Sequence, residues 1–369
     1  MKIKCMKSNF LKGLNIVSKA VPSKTTMSIL QCILIDSTRG NIRLITNDTE
    51  LGIETVIEGE IIEKGVVAID AKIITDIVRK LPESEVLLQT DSSYKTNITC
   101  ANSRFDILGK SGDEFAYLPD ITRDDYISIS QFSLKDVIRQ TSFSVAVNDN
   151  NKIMTGELFE IRDDKLRVVS LDGHRISIRN LELKEKSENR KVIIPGRALN
   201  EISKILTGDA DSIVNIYFSD KNIVFEFDDS ILLSRVIDGD YFNVDQMLSN
   251  EYSTKVTVNK REFMDCIDRS TILVKEGDKK PIIIDINDNY MDIRINSTLG
   301  SLNDSIDISK DGNDITIGFN PKFLIDVLRV IDDDEVDIYL QSPKSPCIIK
   351  DEESSYIYLV LPVNINTVN

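Results

Sequence analysis

The sequence has few of the residues that most metal sites and nucleophilic active sites use. It contains one histidine, His174, no tryptophan and five cysteines in 369 residues. No cluster of histidine and cysteine has the spacing of zinc ligands, so we expect no metal site and no cofactor. His174 lies too close to Ser170 and Asp172 for a catalytic triad, whose members come from separate elements. The cysteines are odd in number and far apart, which predicts buried free thiols in a reducing compartment. They are Cys5, Cys32, Cys100, Cys266 and Cys347.

Long apolar runs are also absent. The N-terminus, MKIKCMKSNF, has no signal-peptide core, and no run of 18 apolar residues occurs. We therefore expect a soluble, cytoplasmic protein without a membrane partner. Hydrophobic residues make up 41% of the chain and aromatic residues 6%, which predicts cores of isoleucine, leucine and valine. The length fits two or three domains.

Nucleotide-binding motifs are incomplete. Gly109-Lys110-Ser111 resembles the end of a phosphate-binding loop, but that loop needs a glycine where Arg104 stands. The acidic run Asp332–Glu335 is typical of a solvated loop. We therefore predict that the protein is not an enzyme.

A helical pattern recurs three times at one spacing. At 70–81, apolar residues fall at i, i+1, i+4, i+5 and i+8, which predicts one buried helical face. The pattern returns 125 and 250 residues later, at 195–206 and 320–331, each time after an apolar strand-like run. A repeat of this length is domain-sized, so it predicts three similar domains rather than a solenoid.

Each predicted domain has the order strand, helix, strands, helix, strands. We expect helices at 7–21, 70–81, 133–144, 195–206, 259–273 and 320–331, and domains at 1–122, 123–252 and 253–369. Ser8 or Asn9 is expected to cap the first helix. Helices packed on one face of antiparallel sheets make an α+β fold.

The net charge of −15 argues against a general nucleic-acid coat. The six predicted helices nevertheless carry +7, which leaves −22 on the remainder of the chain. This division favours a protein that holds a polyanion on its helices and repels it elsewhere. Ordinary solvated helix faces are the alternative.

One turn differs between the repeats. In the middle copy it is Leu171–Ile176 and contains Gly-His-Arg, which the corresponding stretches Thr46–Leu51 and Asn296–Gly300 lack. The difference indicates a specialised site at this turn. A simple β-turn with a hydrogen-bonded histidine is the alternative.

A set of short motifs, in this order and at this period, resembles the bacterial sliding clamp family, the beta subunits of DNA polymerase III. The resemblance covers the whole chain. The motifs are Ser28-Ile29-Leu30 after a basic loop, Asp172-Gly173-His174-Arg175, Asp238-Gly239 followed by an aromatic residue, Gly318-Phe319-Asn320 before the last helix, and Leu361-Pro362-Val363.

The resemblance implies a DNA clamp fold, in which a crescent of three domains closes with a second copy, head to tail, into a ring around duplex DNA. Helices would line the hole and contact phosphates without reading bases, so that the ring slides. The family's DNA-contacting positions match Lys24, Arg79, Lys152 and Arg197. Its dimer-interface positions match Phe105 and Ile107 of one copy, with Ile272 and Leu273 of the other.

The resemblance also implies a peptide pocket between the middle and last domains. It would bind short linear motifs of the replicative polymerase, the clamp loader, and repair and translesion polymerases. An apolar groove with a few polar groups at its rim suits such peptides. The matching positions are Met154, Leu171, Gly173, His174, Arg175, Ile176, Phe242, Met247, Leu359, Val360, Leu361, Pro362 and Val363.

The sequence departs from the family pattern at the pocket. Leu171 stands where threonine is frequent, Phe242 where proline is common and Gln246 where arginine is common. The usual Met-Pro-Met is Leu-Pro-Val, and four further residues follow Ile365. These changes keep the groove apolar and leave its peptide specificity open.

The leading hypothesis is a non-enzymatic clamp that encircles duplex DNA and tethers the polymerase, conferring processivity. Such a tether needs ring closure and only moderate DNA affinity, because it raises the effective concentration of the polymerase at the primer end. The alternative is a ring- or crescent-shaped scaffold that organises proteins without encircling DNA.

Overall fold

A computed structural model describes residues 1–120, 122–147, 150–248, 251–274 and 280–365. The chain divides into two compact units. The first unit is Met1–Lys135 with Arg197–Val236, and the second unit is Asp136–Gly196 with Ile237–Asn369. The domain limits at 1–122, 123–252 and 253–369 stay a prediction.

Six α-helices occur in the described ranges, and the helical periodicity predicted all of them. Each lies inside the predicted range or extends at most two residues beyond it. They are α1 (Lys7–Val17), α2 (Ala71–Lys80), α3 (Gln131–Thr141), α4 (Gly196–Ile205), α5 (Lys260–Thr271) and α6 (Pro321–Val330).

Side-chain caps fix where later helices begin. The carboxylate of Asp70 accepts a hydrogen bond from the backbone N–H of Ile73 at 2.9 Å, at the start of α2. The side chain of Asn259 caps α5, and that of Asn320 caps α6 with Pro321 in the first turn. Each cap satisfies an N–H group that has no partner inside its helix.

The first helix begins differently, and the predicted cap at Ser8 or Asn9 is wrong. Helix α1 starts at Lys7, directly after a strand, with no side-chain cap. The backbone N–H of Lys7 donates to the carbonyl of Ser84 at 3.0 Å, and that of Ser8 donates to the carboxylate of Glu83 at 3.1 Å. Distant residues therefore satisfy these N–H groups, which local sequence does not reveal.

Two antiparallel sheets form in the first unit. Their strands are β1 (Lys2–Met6), β2 (Cys32–Asp36), β3 (Ile42–Asn47), β4 (Leu51–Ile57), β5 (Glu60–Glu63), β6 (Val66–Asp70), β7 (Glu85–Thr90), β8 (Lys95–Cys100), β9 (Ser103–Leu108), β10 (Tyr126–Ser130), β13 (Ile213–Phe218), β14 (Asn222–Phe227) and β15 (Ser230–Arg235). One sheet has five strands in the order β5-β1-β7-β8-β9. The other has eight strands in the order β10-β13-β14-β15-β4-β3-β2-β6. The eight-stranded sheet joins two repeats, because β4 pairs with β15.

One antiparallel sheet of ten strands forms in the second unit. Its strands are β11 (Gly156–Leu171), β12 (Arg175–Pro195), β16 (Thr254–Asn259), β17 (Ile282–Ile286), β18 (Tyr290–Ser297), β19 (Gly300–Gly312), β20 (Ile315–Phe319), β21 (Glu335–Leu340), β22 (Cys347–Lys350) and β23 (Tyr356–Val360). They lie in the order β11-β12-β23-β22-β21-β16-β19-β18-β17-β20. Strand β12 pairs with β23, and Leu359 lies opposite Ile176. The Leu171–Ile176 turn therefore lies beside the C-terminal segment.

The buried core consists mainly of isoleucine, leucine and valine, as the composition predicts. All five cysteines are buried and free, in agreement with the sequence prediction. In the parts of the chain that the structure describes, no helix is long and apolar enough to cross a membrane. No group of three or more metal-ligating side chains occurs among these residues.

Candidate functional site

The turn between β11 and β12 is closed by its own aspartate. The Oδ1 atom of Asp172 accepts hydrogen bonds from the backbone N–H groups of His174 at 3.0 Å and Arg175 at 3.1 Å. Gly173 has a φ of +81°, a conformation that glycine adopts without steric cost. The turn therefore presents the carbonyl and ring of His174 outward while the side chain of Arg175 turns inward.

Arg175 is a buried anchor. Its Nε donates to Asp172 Oδ2 at 2.9 Å, its Nη1 to Asp326 Oδ2 at 2.7 Å and its Nη2 to the carbonyl of Phe143 at 2.6 Å. The guanidinium carbon also lies 4.7 Å from the ring centre of Phe323. With its side chain 8% exposed, Arg175 ties the turn to α6 instead of offering donors to a ligand.

His174 joins the turn to the C-terminal segment. Its carbonyl oxygen accepts a hydrogen bond from the backbone N–H of Leu361 at 2.9 Å, and its exposed ring stacks on Phe323 at 5.6 Å between centres. The N–H of Val363 donates to the carbonyl of Gly318 at 2.8 Å. The Leu361–Val363 segment therefore runs beside the turn and is bonded to it at Leu361.

An apolar cluster lies under this turn. Five of the predicted pocket residues belong to it: Met154, Leu171, Ile176, Phe242 and Leu359. The other described members are Ile153, Leu158, Val169, Ile178, Ile193, Ile237, Tyr241, Val244, Leu248 and Ile357. Half-buried Met154 and Phe242 form part of its accessible surface.

The remaining predicted pocket residues lie in different surroundings. Val360 is buried in the neighbouring core, and Pro362 and Val363 are half-buried. Leu361 is 38% exposed beside the turn. Met247 is 48% exposed and lines a separate small cavity with two tyrosines, Tyr252 and Tyr339.

A buried carboxyl group lies at the start of β11. Glu157 is fully buried, and burial raises its pKa to about 8. Its Oε2 and the hydroxyl of Thr141 are hydrogen-bonded at 2.5 Å, while that hydroxyl also donates to the carbonyl of Val137 at 2.8 Å. Since a hydroxyl carries one proton, the protonated carboxyl supplies the second bond at neutral pH.

Sequence reasoning missed several residues that build this site. Phe143, Phe323 and Asp326 position the turn, although they lie far from it in sequence. Tyr241 belongs to the apolar cluster, and burial raises its pKa. The aromatic residue after Asp238-Gly239 was a signal for Tyr241, and the apolar pattern at 320–331 includes Phe323, but no local pattern marks Phe143 or Asp326 as part of this site.

The predicted DNA-contacting residues are all exposed, in two kinds of surroundings. Arg79 pairs with Asp76 at 3.0 Å and Arg197 with Asp48 at 2.5 Å. The side chains of Lys24 and Lys152 have no hydrogen bond or ion pair with any described residue. A phosphate would therefore compete with a carboxylate at the arginines but not at the lysines.

Of the four predicted interface residues, Phe105 and Ile272 are exposed, and Ile107 and Leu273 are half-buried. Phe105 and Ile107 are on β9, an edge strand of the five-stranded sheet, and Phe105 is 38% exposed. Ile272, directly after α5, is 75% exposed. Leu273 is half-buried against the core of the second unit. An apolar edge strand presents free N–H and C=O groups as well as side chains, which suits pairing with a second copy.

Three family models match consecutive parts of the chain. Models of the DNA polymerase III beta subunit match in chain order: the N-terminal domain over residues 1–119, the central domain over 128–243 and the C-terminal domain over 245–364. The chain belongs to the bacterial DNA polymerase III beta subunit family.

Individual relatives show the same likeness. The beta sliding clamp of Staphylococcus epidermidis is 33% identical over 365 residues, covering 96% of this chain and 97% of the relative. A putative DNA polymerase III beta subunit from Eubacterium rectale has a TM-score of 0.97 at 61% identity, covering 99% of this chain and all of that one. The sliding clamp of Bacillus subtilis has a TM-score of 0.95 at 27% identity, covering 99% of both chains.

These likenesses confirm the family, the α+β clamp fold and the main function predicted from the sequence. The chain is a sliding clamp, a non-catalytic processivity factor of DNA replication. The scaffold alternative is not favoured.

Proposed function

We propose that two copies of this chain close head to tail into a ring around duplex DNA and recruit replication proteins through a peptide pocket at the Leu171–Ile176 turn. The observation that carries the pocket is the hydrogen bond between the Leu361 N–H and the His174 carbonyl. It brings the C-terminal segment beside an apolar cluster to which five predicted pocket residues belong. The partners would be the polymerase, the clamp loader and repair polymerases.

Recognition in this pocket would be mainly apolar. Arg175 already makes three hydrogen bonds, so it has little capacity for a ligand. One or two large apolar side chains of a peptide, packed on Met154, Phe242 and Leu361, contribute roughly 1.5–3 kcal/mol each. After the cost of ordering the peptide, this predicts micromolar affinity.

The pocket is tested by adding a charge at its surface. Leu361→Asp should abolish binding of a polymerase peptide that contains glutamine and leucine, measured by calorimetry, because the apolar contact would bring a carboxylate out of water. Ile62→Asp is the matched control, since Ile62 is also exposed and lies on β5 of the first unit. Unchanged affinity in Leu361→Asp would mean that the peptide binds elsewhere and that the turn is only structural.

DNA contact would be electrostatic and independent of sequence. Lys24 and Lys152, which have no ion pair with a described residue, would meet phosphates directly, whereas Arg79 and Arg197 would first leave their carboxylate partners. Each phosphate contact that is lost should lower the slope of log affinity against log salt by about 0.9.

Retention on circular DNA tests the ring. The clamp should stay on nicked circular DNA and leave when the DNA is made linear. The triple variant Lys24→Glu, Lys152→Glu and Arg197→Glu should load poorly yet remain dimeric, because its changes lie outside the proposed interface. The double variant Ile272→Ala and Leu273→Ala should instead sediment as a monomer.

The control for charge is Lys64→Glu with Lys344→Glu, two exposed lysines outside the helices. This variant should load like the wild type. Normal loading of the triple variant would refute the assigned DNA surface. Equal retention on linear and circular DNA would refute encirclement.

A further inference from the structure

A second cavity, of about 390 Å³, lies entirely within the first unit. Its floor is one face of the eight-stranded sheet, and its wall is the connecting segment around Tyr117–Asp120 and Arg123. Ligand sites in proteins have volumes of about 300–1,000 Å³. The cavity therefore has room for a small ligand or one terminal residue of a peptide.

One missing side chain on the sheet makes room for the connecting segment. Gly52, Leu233 and Val224 lie opposite one another on adjacent strands, so they form a row across β4, β15 and β14. A Cβ atom on Gly52 would come within 2.1 Å of the Cδ2 atom of Leu118. Leu118 thus occupies the notch over Gly52, while Val224, Leu233 and the nearby Ile231 remain as the apolar floor.

The connecting segment is also held by its tyrosine. The hydroxyl of Tyr117 donates to Asp36 Oδ2 at 3.2 Å. Its ring lies 5.8 Å from the guanidinium carbon of Arg43, although Tyr117 is 40% exposed. The connecting segment is therefore held by Leu118 and Tyr117. The Tyr117 ring covers Arg43 and is itself accessible to solvent.

Arginine side chains lie around the apolar floor. Arg43 is 6% exposed and its two Nη atoms bond Asp36 and Glu54, but its buried Nε has no partner among the described residues. A buried donor without an acceptor is costly, so it favours a ligand that supplies one. Arg39, in the turn after β2, is exposed and forms no ion pair within the described ranges.

A third arginine stands at the opposite side. Arg123 pairs with Glu226 at 2.9 Å and lies 5.9 Å from the ring centre of Tyr217. Glu54 and Asp120 also line the cavity, and Asp36, Glu54 and Glu226 pair with Arg43 and Arg123. Arg39 is therefore the lining arginine that has no carboxylate partner among the described residues, and one such arginine suits a ligand with a single negative charge.

We propose that this cavity binds an apolar monocarboxylate. The apolar body lies on Val224, Ile231 and Leu233, and the carboxylate is held by Arg39 and Arg123. Displacement of the Tyr117 ring lets the ligand supply an acceptor to Arg43 Nε. A small organic acid and the C-terminal residue of a partner polypeptide share this chemistry. The site is separate from the proposed peptide pocket and does not depend on it.

Calorimetry of the full chain tests the site with N-acetyl-L-phenylalanine as the probe. The acid should bind, whereas its amide and acetate should each bind at least tenfold more weakly, because one lacks the charge and the other the apolar body. Arg39→Gln should weaken binding of the acid about tenfold, and Arg39→Gln with Arg123→Gln should weaken it further. Arg39 is exposed and has no ion pair among the described residues, so its replacement should leave the fold intact.

Arg261→Gln, an exposed arginine on α5, is the matched control and should leave the affinity unchanged. A short peptide that ends in phenylalanine with a free carboxylate distinguishes the two sources. Binding more than tenfold tighter than the acid assigns the site to a polypeptide terminus, and equal or weaker binding assigns it to a small acid. No binding of the acid, equal binding of acid and amide, or an unchanged affinity in Arg39→Gln would overturn the proposal.

Discussion

Two hairpin turns, Asn47–Leu51 of the first repeat and Leu171–Arg175 of the second, show how one fold carries different sites. Asp48 and Asp172 occupy the same place, 124 residues apart, and the Oδ1 atom of each accepts backbone hydrogen bonds across its turn. The arginine partners differ. Asp48 pairs with half-exposed Arg197, whereas Asp172 pairs with buried Arg175.

Beneath each turn, a hydroxyl group on a strand donates a hydrogen bond to a backbone carbonyl at the end of a helix. The hydroxyl of Thr46 donates to the carbonyl of Val17 at 2.5 Å, and the hydroxyl of Ser170 donates to the carbonyl of Thr141 at 2.6 Å. Both pairs again lie 124 residues apart. The repeat therefore preserves the bond that locks helix to strand, while the turn above it is free to change.

The core beneath the turns differs at one pair of positions. Ile33 of β2 is fully buried, and 124 residues later the fully buried side chain is that of Glu157. The helix residue changes in step, from Val17 to Thr141. Two buried apolar positions of the first repeat thus correspond to a hydrogen-bonded polar pair in the second. Because Glu157 can ionise and Ile33 cannot, the stability of the second repeat should depend on pH at this position, whereas that of the first should not.

Breaking the buried turn should have the largest effect. Arg175→Ala leaves Asp326, Asp172 and the Phe143 carbonyl without their donor, which should lower the free energy of unfolding by about 3–5 kcal/mol. Urea denaturation measures this loss. Arg175→Lys should lose less, because it keeps the charge but not the forked geometry. A loss below 1 kcal/mol in Arg175→Ala would contradict the anchoring role.

Replacing the buried carboxyl sharpens the comparison through pH. Between about pH 4.5 and 8 the unfolded chain has released the Glu157 proton and the folded chain retains it, so the free energy of unfolding falls as the pH rises. Glu157→Gln keeps a donor for Thr141 and should remove roughly 2–4 kcal/mol of this decline. Denaturation of both proteins across this pH range is the measurement.

Glu160, three residues along β11, is the matched control for this prediction. Burial opposes ionisation of Glu160, but hydrogen bonds from Arg162 and Lys191 outweigh it and lower the pKa. Its stabilising effect is therefore present above the unfolded pKa and is lost as the pH falls. Glu160→Gln should remove a part of the free energy of unfolding that rises with pH, whereas Glu157→Gln should remove a part that falls with pH. The same sense in both variants would contradict the assigned protonation of Glu157.

Breaking the ion pair of the Asn47–Leu51 turn, whose arginine is half-exposed, should lower the free energy of unfolding least. Arg197→Ala removes the partner of Asp48, whose side chain is 5% exposed. Because Asp48 keeps its hydrogen bonds from the backbone N–H groups of Glu50 and Leu51 and Arg197 is half-exposed, this should cost about 1 kcal/mol and less at high salt. Urea denaturation at two salt concentrations measures it. A loss as large as that in Arg175→Ala would mean that the two turns do not differ in the way described.

The sequence predicted the repeating parts of the fold because they depend on local order. Apolar spacing located α2, α4 and α6, since a buried helical face needs the same period in every copy. It also indicated that the turn at Gly173-His174-Arg175 was special, because a repeat makes a difference visible. The roles of the pocket, DNA-contacting and interface residues stay predictions.

Tertiary structure decided what depends on partners far away in the chain. Asp326 bonds Arg175 from 151 residues away, and Glu83 rather than a local cap satisfies the start of α1. The joining of β4 to β15 across two repeats creates the second cavity. Local sequence determines which residues prefer to be buried or helical, but a hydrogen bond, an ion pair or a cavity exists only once distant strands and helices have packed together.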